Sequence, residues 1–137
     1  MKMPSRLHGK LFNERGFTLI ELLIVISIIG VLSVIAIPRF SNAIVLANTA
    51  KVQSDLSVIN TSITLYQAEN GSYPSSIKTD LKDYIVDIDN LKPPKGECLL
   101  RDGTKIDVKD SDYTLSGDKT QALCQSHAIN EFGRKDK

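Results

Sequence analysis

Residues that usually carry chemistry are scarce in this chain. Its 137 residues include two cysteines, two histidines and no tryptophan. Cys98, Cys124 and His127 fall short of the four ligands that a structural zinc site needs. His8 lies near the start of the chain, and His127 reads as an ordinary surface residue. No glycine-rich phosphate loop follows a strand, and no paired-carboxylate signature stands out, so nothing here supports an enzyme or a bound cofactor. Asp102, Asp107, Asp110, Asp112 and Asp118 are close in sequence, but none begins an EF-hand pattern. They read as turn formers and a solvated face rather than a metal site. The basic residues after position 39 are scattered among acids instead of forming a stripe, so direct nucleic-acid binding is not expected.

What the chain does have is one long apolar run. Phe17 to Ile37 is nearly unbroken and holds one charge, Glu21. About 20 such residues suffice for a helix to cross a bilayer core of roughly 30 Å. An ionisable group inside such a span costs roughly 2.5 to 3.5 kcal/mol on insertion scales and therefore demands a function and a partner. A chain cut after Gly16 would begin at Phe17 with a positive amine one helical turn from Glu21, able to neutralise it within one chain or between neighbours. Residues 1 to 16 carry Lys2, Arg6, Lys10 and Arg15 against Glu14, a net charge of +3. The positive-inside tendency holds this end in the cytoplasm and puts the residues beyond the span outside. The whole chain is +1, so removal of the leader leaves residues 17 to 137 at about −2. A secretory signal would place its cleavage site after the apolar segment. Here the small residue precedes it, so the mature protein keeps the helix.

Gly16, Phe17, Thr18, Leu19, Ile20 and Glu21 together resemble the cleavage motif of the type IV pilin and pseudopilin superfamily. The resemblance is strong over residues 16 to 38, fair to Pro74 and only architectural beyond. It implies that a prepilin peptidase cuts after Gly16 and methylates the amine of Phe17. Glu21, beside Thr18, would steer each subunit into a filament. It also implies that the helix loosens between Gly30 and Pro38.

After Pro38 the pattern stays helical: Val45, Val52, Leu56, Ile59, Ile63 and Tyr66 form one apolar stripe, read as packing on the chain's own C-terminal domain. Proline inside a helix removes a hydrogen bond and crowds the preceding turn, so a kink is expected there. Asn70-Gly71 followed by Pro74 marks the helix end. From Ser75 to Leu91, apolar residues at spacings of three and four suggest a short helix or two. Asp102-Gly103 between apolar stretches signals a hairpin. Tyr113 to Leu115 and Ala122 to Cys124 offer further strands, for a meander of three or four.

The expected fold class is therefore α+β: a long N-terminal helix, transmembrane in its first half and kinked near Pro38, packed against a small antiparallel sheet. The expected divisions are a leader 1–16, a filament-core helix 17–38, an amphipathic helix 39–71, a connector 72–96 and a C-terminal β region 97–137. Cys98 and Cys124 fall in the part placed outside the cytoplasm, where a disulfide is the natural reading. Closing about 26 residues is worth roughly 3 kcal/mol. Buried free thiols are the alternative.

By resemblance the chain is a type IV pilus subunit, stored in the inner membrane and then polymerised outside the cell for adhesion, motility or DNA uptake. The implied partners are further copies of itself, minor pilins, the peptidase, an assembly ATPase and an inner-membrane platform protein. A pseudopilin of type II secretion, building a short periplasmic fibre, is the near alternative. The pseudopilins' tryptophan-containing loop has no counterpart here. A monomeric membrane-anchored binding domain is the alternative of another class.

Overall fold

The computed structural model describes residues 16–134, so all of the leader expected over positions 1–16 except Gly16 lies outside it. The chain divides into two compact units, one ending at Ile37 and the other starting at Pro38. Helix α1 (Leu19–Asn70) runs through 52 residues with Pro38 inside it. It starts two residues later than the apolar run because Thr18 stands at its N-terminus as a cap. It ends as expected: Gly71 takes φ +69, and its N–H returns to the carbonyl of Gln67 at 2.9 Å.

In the second unit the helix stripe packs as the periodicity requires. Val52, Leu56 and Ile59 are fully buried, Val45 and Ile63 nearly so, and Tyr66 packs at the edge. Against them lie Leu81, Ile85 and Ile88 from the connector and Cys98, Leu100, Val108, Tyr113, Ala122, Cys124 and Phe132 from the β region. The connector forms a one-turn helix α2 (Ile77–Asp80) and a 3-10 turn (Ile88–Asn90). Ser76 caps α2 through its hydroxyl, while the Asp80 carboxylate accepts from the N–H groups of Ser75 and Ser76 at 2.7 and 3.1 Å. Tyr84 donates to Glu69 and meets Tyr66 edge-on at 6.0 Å, which ties the connector to the last turn of α1.

The β region departs from the expected single meander. It forms two separate antiparallel ladders: β1 (Gly96–Leu99) with β2 (Lys105–Val108), and β3 (Thr114–Leu115) with β4 (Ala122–Leu123). The first hairpin turns at Asp102-Gly103, with Gly103 at φ +94 and Asp102 Oδ1 accepting from Thr104 N at 2.7 Å. That bond is the main reason the Asp102 carboxyl lies below the usual carboxylate range.

The ladders stay apart because α1 takes backbone groups that a neighbouring strand would otherwise pair. Thr49 Oγ1 accepts from Leu99 N at 2.8 Å, and Asn60 Oδ1 accepts from Ala122 N at 2.7 Å. Asn48 Nδ2 donates to the Glu97 carbonyl at 3.2 Å and Gln53 Nε2 to that of Phe132 at 2.9 Å. A buried donor left without a partner costs about 1 to 3 kcal/mol. Thr49→Val keeps the shape of the side chain but orphans the Leu99 N–H. It is expected to lower unfolding stability by about 1 to 3 kcal/mol in urea melts of the detergent-solubilised protein. No loss would show that the bond contributes nothing.

A buried charge network also ties α1 to the β region. Asp55, 8 % exposed, accepts from the Tyr113 hydroxyl at 2.6 Å and from Lys51 Nζ at 2.6 Å. Burial, then the carboxylate beside it, holds the Tyr113 phenol well above the usual tyrosine range. Phe132, fully buried, anchors the C-terminal segment, which pairs with Leu100 through an isolated bridge.

Cys98 and Cys124, for which a disulfide is expected, stand here as free thiols, both fully buried in the core. Burial raises the Cys98 thiol and, with the neighbouring Cys98 as its second cause, pushes Cys124 up to about 12. In this state the two act as small apolar core residues.

Candidate functional site

The start of α1 concentrates the residues picked out by sequence. Gly16, Phe17 and Thr18 precede the helix, and Phe17 is 87 % exposed. The Glu21 carboxylate does not stand alone, because its Oε2 accepts from Thr18 N at 2.8 Å and from the Thr18 hydroxyl at 3.0 Å. In return Thr18 Oγ1 accepts from Glu21 N at 3.2 Å. This is a reciprocal capping box, which satisfies two N-terminal N–H groups that a helix otherwise leaves open. Thr-x-x-Glu before an apolar run is a recognised helix-start pattern, and pairing Glu21 only with an amine passes over it. The helix N-terminus also favours a carboxylate through its dipole.

From Phe17 to Ile37 every large apolar side chain faces outward, and the stretch is long and apolar enough to cross a membrane. Its two serines do not break that surface, since Ser27 Oγ donates to the Leu23 carbonyl and Ser33 Oγ to that of Ile29, both at 2.7 Å. A Cβ built on Gly16 or on Gly30 meets nothing within 4 Å, and neither backbone is left-handed. The chain's own fold therefore requires glycine at neither place. Within a helix, glycine costs about 0.5 to 1 kcal/mol relative to alanine, so Gly30 carries a cost with no return inside the chain. Pro38 lies within α1 at the boundary between the two units.

The remaining expected positions lie apart from this start. Cys98 and Cys124 belong to the core of the second unit. His127 is more engaged than a bare surface residue: its Nδ1 lies 2.7 Å from Glu131 Oε2, and its ring meets Phe132 edge-on at 6.2 Å. Glu131 Oε1 also accepts from Ala128 N at 3.0 Å, which with the His127 contact lowers the Glu131 carboxyl. The spacing of four between His127 and Glu131 was the available signal. Among the described residues no cluster of His, Cys, Asp or Glu could hold a metal ion.

The first unit is thus an outward-facing apolar helix, opening on a self-capped carboxylate and long and apolar enough to cross a membrane once. Known proteins make the class specific. Residues 11–37 match the family described as the prokaryotic N-terminal methylation motif. Over 109 residues the chain is 46% identical to the type IV major fimbrial protein FimA of Dichelobacter nodosus, covering 80% of this chain and 55% of that protein. It is 34% identical over 65 residues to the type II secretion system core protein G of Pectobacterium carotovorum subsp. carotovorum, covering 47% of this chain and 42% of that protein. The corresponding protein of Klebsiella pneumoniae is 36% identical over 64 residues, covering 47% and 46%. The chain thus spans about half the length of the curated relatives it matches. No solved structure matches it. Motif, fold and relatives agree: residues 11–37 carry the methylation motif, and the chain is similar to proteins of the type IV pilin and pseudopilin superfamily.

Proposed function

We propose that this chain is the precursor of a type IV pilus subunit. It is stored in the inner membrane through the first part of α1 and polymerises into an extracellular filament of many copies, joined by minor pilins. The observation that carries this reading is Glu21, a carboxylate at the head of an outward-facing apolar surface, inside the matched methylation motif. A peptidase cutting after Gly16 frees the Phe17 amine, which it then methylates. In lipid the Glu21 carboxylate exchanges its contacts with Thr18 for an ion pair with such an amine, on its own chain or on a neighbour. The glycine at 16, which the fold does not need, is there for the peptidase. Gly30 and Pro38 let the helix loosen as the subunit leaves the membrane. Assembly draws on an ATPase and a membrane platform protein.

The likeness to two type II secretion core proteins favours a second reading, a pseudopilin in a short periplasmic fibre. We also propose that the two thiols oxidise once exported. This is supported by their burial in one core cluster.

The intact mass of the protein in filaments sheared from cells, set against the mass in the membrane, tests these points together. A sheared species lacking residues 1–16, one methyl heavier and two hydrogens lighter, is the expected result. A processed form confined to the membrane would move the conclusion to the pseudopilin. An uncut chain would leave only an anchored binding domain.

A further inference from the structure

Strand β3 keeps one edge open. Ser116 N donates to Gln121 O at 2.9 Å, and Ala122 N turns the other way to reach Asn60 Oδ1 at 2.7 Å. In an antiparallel pair the bonded positions alternate, so Thr114 bonds to Leu123 while Tyr113 and Leu115 aim their backbone groups away from β4. Among the described residues no other backbone group pairs with them. Beside this edge is an open slot of about 340 Å³, walled by residues 75–78 of the connector and 112–115 of the β region. No β4 residue lines it, so it lies off the outer edge of β3 rather than over the ladder. Two contacts bridge its walls: Lys78 pairs with Asp112, and Lys119 Nζ donates to Ser75 Oγ at 3.2 Å.

We infer that this slot takes an extended acidic peptide segment of a partner protein, added to β3 as a further strand. Donors and acceptors on alternate residues of an open edge are the complement of another extended backbone. The wall of residues 112–115 is on the order of 13 Å long, at about 3.3 Å per residue, which suits a guest of three or four residues. Charge decides which guest. Two carboxylates stand by the slot and both have partners: Asp112 with Lys78, and Asp80 with the N–H groups of Ser75 and Ser76 at 2.7 and 3.1 Å. The Lys78 contact is the main reason the Asp112 carboxyl lies below its usual range, and the charge of exposed Lys92 is a lesser one. Lys119 Nζ meets only a neutral hydroxyl there. Positive charge is thus left over at the slot. Lys119 itself sits at φ +61, a conformation that favours glycine. Ser116, Asp118 and Thr120 close that turn, and the lysine side chain takes no part in it. Strain of this kind marks a residue held for another purpose, here an ammonium at the rim. The site serves a pilus subunit and a pseudopilin alike.

The test uses the detergent-solubilised full chain and a short capped peptide alternating valine with glutamate, followed by fluorescence anisotropy and amide exchange. Saturable binding is expected, with exchange of the Leu115 N–H slowed more than about tenfold. The same peptide with lysine for glutamate should bind at least about tenfold more weakly. Lys119→Gly removes one rim charge and relaxes the turn, so affinity should fall about two- to fivefold while the melting point holds or rises. Absence of saturable binding would overturn the inference, as would unchanged exchange at Leu115. Equal binding of a peptide N-methylated at alternate amides would also overturn it, because such a guest cannot join a ladder. A chain that is dimeric until the peptide is added would give the slot to a second copy and overturn the partner assigned.

Discussion

Cells carrying Glu21→Ala are expected to insert and process the subunit normally yet shed almost no filaments. Removing the carboxylate deletes a cost of roughly 2.5 to 3.5 kcal/mol for a charge in the bilayer, so the membrane pool should hold steady or rise. The helix start loses half of its capping box, worth about 0.5 to 2 kcal/mol, which a helix buried in lipid over several turns tolerates. What cannot be replaced is the ion pair with a Phe17 amine in a setting of low dielectric. Glu21→Gln separates the two roles, because it keeps an acceptor for the Thr18 N–H at 2.8 Å but has no charge. It too is expected to leave filaments nearly absent. Immunoblots of sheared and membrane fractions supply the measurement. Abundant filaments from Glu21→Gln would reduce the carboxylate to a helix cap.

Phe132→Ala should be the most destabilising single truncation in the second unit. The side chain is the largest of the fully buried ones. Its loss costs about 3 to 5 kcal/mol in a well-packed core, and the whole stability of a domain is commonly only about 5 to 15 kcal/mol. The backbone around it is held on several sides. Gly133 N donates to Leu99 O at 3.0 Å, Arg101 N to Glu131 O at 2.8 Å and Gln53 Nε2 to Phe132 O at 2.9 Å. A void there loosens the C-terminal segment, β1 and α1 together. Thermal melting of the detergent-solubilised protein, tracked by near-ultraviolet dichroism, should show the drop, with Phe132→Leu intermediate. An unchanged midpoint for the alanine variant would mean that the segment is not part of the cooperative core.

The helical parts of this molecule could be read from periodicity because one face repeats over many turns. Val45 to Tyr66 predicted the buried stripe, and Asn70-Gly71 predicted its end. The Asp102-Gly103 hairpin was equally plain, since the turn demands the residues found there. The two-ladder arrangement was not. It depends on Thr49 and Asn60, polar residues on a helix whose partners are 50 and 62 positions away. The turn after Cys124 was hidden for another reason. Gln125 and Ser126 both take positive φ, and Cys124 and His127 exchange backbone hydrogen bonds at 2.9 Å across them. Such two-residue turns normally advertise themselves with Asn-Gly. At the helix start, Glu21 stood out by its charge in an apolar run, whereas its bond to Thr18 needed the shorter pattern to be seen.

Because the two ladders share no backbone pairing and each is bonded to α1, the stretch from Lys109 to Ser111 links them without belonging to either, and it is exposed throughout. Extra residues spliced in there would lengthen a tether without disturbing any strand register. Loop closure costs only about 0.6 kcal/mol for each doubling of length. The outer surface of the molecule can thus grow at this point without any change in α1.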